Sequence, residues 1–457
     1  MNIFKLVVCS TLLLAHGACR KPVEVNDNLD NYDERLSGGQ QTTFNESFSD
    51  AFPVLSASHA VTHDLGDGMF ESKYVTAPAP INSGIGPLFN NVSCASCHNN
   101  GGAGKPPSNN NGNFDALLFR LSMPGYDKHG DAVPVPNFGT QLQTQAVFGT
   151  QPEGKVNIVY TSKQGTFADG ETYTLQQPTY TFTNTYMPLP AGVLVSPRLP
   201  LGVFGLGLLD ALPEAWMLQN EDVVDANNNG ISGKINYVWD TRKQTKTMGR
   251  FGWKASVPTV EQQVAIAFNE DMGITSPLFA TENSYNQLQY DKLNDDAEIS
   301  DSILSCLTFY MKSLAVPARR NVNNEEVKRG KSIFKQLNCN GCHIMVARTG
   351  VNASYAEVSN QLISPFTDLL LHDMGDALSD GRPDFTASGS EWRTPPLWGI
   401  GLSEKINGNT NYLHDGRARS LQEAILWHGG EAETIKNNFK KLPKTDRSAL
   451  IKFLQSL

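Results

Sequence analysis

The chain has 457 residues, enough for two to four domains at roughly 150 residues each. A net charge of −9 excludes the basic face a nucleic-acid binder needs, and 40% hydrophobic against 18% charged residues excludes a disordered chain. Four of the seven Cys sit in two short clusters, which is not the even spread of a disulfide framework.

Lys5 precedes an apolar run from Leu6 to Ala15, followed by His16-Gly17-Ala18-Cys19. A basic start, a short apolar stretch and small residues before a cleavage point make a secretory signal, so residues 1–18 are read as one. The run is too short for a permanent bilayer span. Cys19 resembles the acylated Cys of a bacterial lipobox, with His16 where that pattern favours Leu. The expectation is an exported periplasmic or cell-envelope lipoprotein of a bacterium. It would touch membrane only through its lipid anchor, with residues 19–50 as a polar tether.

Two motifs carry the chemistry: Cys94-Ala95-Ser96-Cys97-His98 and Cys339-Asn340-Gly341-Cys342-His343. C-x-x-C-H is the attachment signature of c-type haem. Both thiols add to the haem vinyl groups, and His98 or His343 would ligate the iron. A redox dithiol needs no His, and a zinc site needs further Cys or His, which flank neither motif. The implied cofactors are two covalently attached haem c groups. In bacteria such haem is attached outside the cytoplasm, which agrees with export.

Around the motifs the pattern is helical. Val327, Gly330, Phe334 and Leu337 lead into Cys339, and Leu450, Ile451, Phe453, Leu454 and Leu457 close the chain. This resembles the terminal helix pair of small cytochromes. Gly86-Pro87-Leu88-Phe89 repeats the approach before Cys94, and Ile303, Leu307, Tyr310, Met311 and Leu314 read as the closing helix. Cys306, on the same face, reads as a core thiol. The expected fold class is mainly α, with two cytochrome c-like haem domains at 50–316 and 322–457. The first carries a large insertion, 99–224. Its stretches 155–161 and 172–183, rich in Val, Tyr and Thr, predict β hairpins.

The strings FNNVSCASCHNNGGAG, GLGLLDALPE, GRFGWKA, LLLHDMGDALSDGR and YLHDGRARSLQEAILWHGGEA carry a resemblance to the di-haem oxidoreductase family. That family is often labelled thiol oxidoreductase or peroxidase, and is related to the bacterial di-haem cytochrome c peroxidases. The thiol label rests on Cys pairs that haem attachment would occupy. Those peroxidases have a Trp between the haems, a Gln ten residues later, then an acid followed by Met. Trp253, Gln263 and Asp271-Met272 match, with Glu270 as an alternative acid. The resemblance implies electron transfer through Trp253. It also places Gln263 and Asp271 in the distal pocket of the N-terminal haem, where the acid would move a proton during peroxide cleavage. The run 259–272 also reads as a plain amphipathic helix with an acidic end.

For the second haem, relatives place a Met or Tyr ligand at the end of a helix after His-Asp-Gly. Here His414-Asp415-Gly416 is followed by a helix capped at Ser420 and stopped by Gly429-Gly430, with His428 on its apolar side. His428 is therefore the expected sixth ligand. Met374 and Met345 are alternatives, and His372 and His414 are less clear. Calcium is implied by Asn236 with Thr394 and Pro396. Separately, Asp225, Asn227, Asn229 and Gly230 resemble the start of an EF-hand loop, which also reads as a polar turn.

The function implied is an exported di-haem oxidoreductase, peroxidase-like. Electrons would pass from the C-terminal haem to a reactive N-terminal one. The partners implied are a small redox donor of cytochrome or cupredoxin type and hydrogen peroxide or another small oxidant. The alternatives are a non-catalytic electron carrier and an oxidase of a protein substrate. No His follows His98 at the short spacing that resting peroxidases use for a distal ligand, the next being His129, which favours an open site.

Overall fold

The computed structural model describes residues 32–107, 116–293 and 297–457. Residues 1–31, with the signal reading and Cys19, lie outside the described residues. Glu34–Leu457 form one compact unit. The stretch expected as a tether belongs to that unit from Glu34 onward. Its strand β1 (Thr42–Thr43) pairs in parallel with β6 (Val316–Pro317), and Phe48 is buried beyond it. Between these lie α1 (Ala57–Glu71), β2 (Leu118–Tyr126), β3 (Lys155–Thr166), β4 (Thr172–Thr183), β5 (Leu194–Arg198), α2 (Val260–Met272) and α3 (Asp301–Lys312). After β6 come α4 (Glu325–Gln336), α5 (Leu421–Trp427) and α6 (Lys444–Ser456). Among the described residues no helix is long and apolar enough to cross a membrane.

The mainly α expectation is overturned: about 29% of the chain is helical and about 20% is strand, spread over small sheets of two or three strands. The reason lies in composition and in the insertion. With 39 Gly and 25 Pro the chain is broken into short pieces, since Gly is entropically costly in an element and Pro lacks the N–H. The insertion builds strands instead of helices. Its two β-branched, aromatic runs pair residue for residue as the antiparallel hairpin β3–β4, and β2 pairs with β5. The hairpin base packs Val156 and Ile158 against Phe119 and Leu199. Its tip reaches α6. There the Arg447 guanidinium lies 3.9 Å over the Phe167 ring and pairs with Asp169 at 2.9 Å and Glu171 at 2.5 Å.

Two helix pairs share one packing device. Helix α1 packs on α3, and α4 packs on α6. Side-chain caps start α1, α3 and α4: Ser56 accepts from the His59 amide, Ser300 from Ile303, and Asn324 from Glu326 and Val327. Each pair closes on a glycine. A Cβ on Gly66 would meet Tyr310 Cβ at 2.5 Å and the Cys306 carbonyl at 2.8 Å. One on Gly330 would run into the Ala449 carbonyl and meet Phe453 Cβ at 2.7 Å. One turn after each glycine stands a Phe. Phe70 lies 6.4 Å from the His98 ring and Phe334 lies 6.3 Å from that of His343.

The approach expected at Gly86–Phe89 is not the helix. Leu88–Phe89 is a short strand paired with Gln145–Ala146, and the helix before Cys94 is the earlier α1. Gly66 and Gly68 interrupt its apolar pattern, which hid it.

These crossings predict opposite outcomes for neighbouring glycines. Gly66→Ala should destabilise by roughly 1–3 kcal/mol through overpacking. Gly68→Ala, with open space at its Cβ, should gain up to about 1 kcal/mol of helix propensity. Chemical unfolding of both variants checks this. Equal effects would remove the crossing from the account.

Candidate functional site

Both C-x-x-C-H motifs open on one cavity of about 540 Å³. Local hydrogen bonding explains how each is presented. Cys94–Cys97 is a single helical turn, with Ser93 accepting from the Ser96 amide and the His98 amide donating to the Cys94 carbonyl at 2.9 Å. Cys339–Gly341 is a tighter turn, and the His343 amide donates to the Cys339 carbonyl at 3.0 Å. In both, two thiols and an imidazole face the same space. None of the five described cysteines is in a disulfide. Burial pushes the Cys94 and Cys339 thiols up to about 12, the opposite of what a redox-active thiolate requires.

The histidines divide by what their ring nitrogens touch. His343 Nδ1 donates to the Phe366 carbonyl at 3.0 Å, and His428 Nδ1 to the Ala424 carbonyl at 2.7 Å. A carbonyl only accepts, so each Nδ1 carries the proton and each Nε2 keeps its lone pair. Burial holds both rings below the usual imidazole value, His343 at about 4. His98 is likewise pushed down to about 4 by burial, beside the Leu201 and Gly102 backbones. All three line the cavity as neutral imidazoles.

His372 differs. Its Nε2 meets Asp368 and its Nδ1 meets Glu431, both at 2.8 Å. Burial is the largest single influence and opposes a charge on the ring, but Asp368 and Cys342 together outweigh it and hold His372 well above the usual imidazole value. An imidazolium with both nitrogens engaged offers no lone pair. Met374 lines the cavity, whereas Met345 packs in the C-terminal core.

On α2, capped by Thr259 accepting from the Gln262 amide, Gln263, Ala267 and Asp271 recur every fourth residue and face the cavity. Gln263 Oε1 is buried there with no hydrogen-bond partner. Burial pushes the Asp271 carboxyl up to about 6, although Gln141 Nε2 donates to it at 2.8 Å. Glu270 points elsewhere, accepting from the Thr140 hydroxyl at 2.7 Å with Arg120 at 3.8 Å.

Trp253 donates its Nε1–H to the Leu199 carbonyl at 2.6 Å. It stands edge-on to Trp392 and to His414, both 6.5 Å away. Trp392 and His414 stack at 4.0 Å and 11°. The Lys254 ammonium lies over the Trp392 ring, 4.5 Å from its centroid. It is caged by Asp380 Oδ1 at 2.9 Å and the Arg382, Ser388 and Gly389 carbonyls at 2.7, 2.8 and 3.3 Å. Burial pushes it down to about 8, against the pull of Asp380.

Asn236, Thr394 and Pro396 are the residues expected for calcium. Thr394 and Pro396 line the cavity. The Asn236 amide is saturated, donating to the Lys254 and Asp384 carbonyls and accepting from the Thr386 amide and hydroxyl. To ligate a cation it would surrender those bonds. The Asp225 carboxylate accepts from the Asn229 and Gly230 amides within an exposed turn. Among the described residues no group of three His, Cys, Asp or Glu side chains is arranged for a metal ion.

Sequence reasoning missed Gln141, which holds Asp271. It also passed over Lys254, Trp392 and Arg382, of which Lys254 and Arg382 stand in strings singled out above without a role.

Two tests follow from these charges. Lys254→Met should cost roughly 3–5 kcal/mol, because it leaves Asp380 buried without its partner. Unfolding of Lys254→Met beside Lys254→Met/Asp380→Asn checks this, and the double variant should recover part of the loss. Burial raises the Asp271 carboxyl from its ordinary 3.8 to about 6, so the folded state holds the extra proton between these values. Its contribution is present below pH 3.8 and lost as pH rises through 6. Asp271→Asn should therefore gain stability relative to wild type between pH 4 and 7. A constant difference would place the carboxyl outside a desolvated site.

Residues 32–457 match the family described as "di-haem oxidoreductase, putative peroxidase". Comparisons with curated proteins and with solved structures found no match. A pair of C-x-x-C-H turns and three neutral imidazoles on one cavity wall is the chemistry that a two-haem description requires. The chain belongs to the di-haem oxidoreductase family.

Proposed function

We propose that the protein is an exported, peroxidase-like di-haem oxidoreductase carrying two covalently attached haem c groups. The observation that carries this reading is the shared cavity: both motifs, His428, Trp253, Gln263 and Asp271 line it together. In this reading the Cys94/Cys97 and Cys339/Cys342 thiols hold the haems, and His98 and His343 supply Nε2 to the irons. His428 would be the second protein ligand of the C-terminal iron. The Nδ1–H to carbonyl bonds of His343 and His428 are the usual outer partners of a metal-bound imidazole, fixing tautomer and ring direction.

Haem, when bound, supplies one-electron chemistry and a place for peroxide. The protein supplies positioning and protons. Reduction of hydrogen peroxide to two waters takes two electrons and two protons. Asp271, pushed up to about 6, can hold and release a proton near neutral pH, and Gln141 fixes which way its carboxyl faces. The free Gln263 carbonyl oxygen can accept from a peroxide hydroxyl. Trp253, hydrogen-bonded and held among aromatic rings, would pass electrons from the C-terminal site to the N-terminal one. The donor would be a small redox protein of cytochrome or cupredoxin type. Export fits the compartment in which bacterial c-type haem is attached, and a lipid on Cys19 would hold the protein at the cell envelope.

A pyridine haemochrome assay on protein made with a haem-attachment system should give two haems per chain; fewer would overturn the reading. Ferric EPR should show one low-spin species that His428→Gly converts to high spin and imidazole restores. A surviving bis-His signal would move the ligand elsewhere. Asp271→Asn should lower peroxide turnover by roughly 10²-fold, and Glu270→Gln should not. A wild type whose spectrum ignores peroxide would favour an electron carrier instead.

A further inference from the structure

The insertion brings two arginines to the cavity. Strands β2 and β5 pair with Leu118 opposite Arg198 and Arg120 opposite Ser196. Arg120 and Arg198 are thus an even number of positions apart in the ladder and share one face of the sheet. A third arginine, Arg382, arrives from the loop between the short strands Leu371–Asp373 and Glu391–Arg393. All three line the cavity beside Trp253 and Asp271.

Two of these guanidiniums converge on one carboxylate, Asp384. Arg198 Nη1 lies 2.7 Å from Asp384 Oδ2, and Arg382 Nη1 takes the other oxygen of the same carboxylate. One aspartate therefore serves two guanidiniums. Arg198 Nε donates to Ser196, but its Nη2 is buried with no partner, and so is Arg382 Nε. The Arg382 side chain is only 3% exposed. A buried guanidinium with an unmet donor costs free energy unless an anion meets it. Burial pushes Arg382 down to about 9 and Arg198 to about 10; the neighbouring guanidiniums push the same way, while Asp380 and Asp131 oppose them. Arg120, more exposed at 22%, stands nearer Gln141 and Glu270.

We propose that Arg198 and Arg382, with Arg120 beside them, form a carboxylate-binding site in the cavity wall, and that the carboxylate they take is a haem propionate. This rests on the haem reading above. A planar guanidinium presents paired N–H donors that match a carboxylate, so the unmet Nη2 and Nε are the donors such a group would use. Two of the three arginines come from β2 and β5. One role of the 99–224 segment is therefore to bring positive charge to the haem.

The test uses the haem-loaded full chain. Wild type and Arg382→Met are compared by haemochrome count, by resonance Raman in the propionate-bending region, and by spectroelectrochemical titration. Arg382→Met should keep two haems, shift the propionate-bending band of one haem, and lower that haem's midpoint potential, because a positive charge that favours the ferrous state is gone. Arg382→Lys, which keeps the charge but not the fork, should shift the Raman band and largely restore the potential. It also serves if the Met variant does not fold. Benzoate is titrated into wild type as a free carboxylate. Saturable binding that Arg382→Met or Arg382→Lys abolishes, with unchanged propionate bands, would overturn the propionate in favour of a diffusible carboxylate. Unchanged bands and potentials with no benzoate binding would overturn the site altogether. A wild type with fewer than two haems would strike the underlying haem reading instead, which the count alone decides.

Discussion

The contact between helix backbones at Gly66 and Gly330 is the constraint from which the cavity follows. With no side chain in the way, α1 settles on Tyr310 and α4 settles on Phe453 and the Ala449 carbonyl. Each helix then carries its Phe, one turn further on, to within about 6.4 Å of a motif histidine. The segment joining Phe70 to Cys94 is far longer than the one joining Phe334 to Cys339, yet the ring separations agree. The geometry is set by the crossing, not by the number of intervening residues.

Between the two crossings, polarity is handled in two ways. At the positions proposed as iron ligands the protein withholds charge: His98, His343 and His428 are neutral, and their outer nitrogens or surroundings are backbone. Around the aromatic group it concentrates charge, with Lys254 enclosed by carbonyls and Asp380 against the face of Trp392. A cation there makes electron loss from Trp392 harder than from Trp253, which carries no ammonium on its face. The two tryptophans are neighbours in space and unequal in electrostatics.

The chemistry was legible wherever it depended on local spacing. The C-x-x-C-H turns, the Gln263 to Asp271 face of α2, the cap at Ser420 and the strands of the hairpin all follow from short-range pattern. What stayed hidden depends on pairing across the chain. Gln141 meets Asp271 only because a loop of the insertion folds back on α2. Arg120 and Arg198 share a face only through strand register. The choice between Asp271 and Glu270 needed the three-dimensional position of Thr140 and Arg120, since adjacent helical residues differ by about 100°. The overall class was misread for a related reason. Helical periodicity is conspicuous in sequence, whereas two-residue strands leave almost no trace.

The hairpin tip lodged under Arg447 ties folding to synthesis. Phe167, Asp169 and Glu171 have no partner on α6 until the last residues of the chain exist, and α1 must wait in the same way for α3. Contacts of such sequence separation close late and slowly, since the loop entropy is spent before the contact returns anything. On the covalent-haem proposal, a chain emerging from its amino end would present Cys94 and Cys97 for attachment while the hairpin is unanchored and the cavity incomplete. The burial of Cys97 and partial burial of Cys94 in the finished fold, and the accessibility that attachment would need beforehand, are reconciled by this delay.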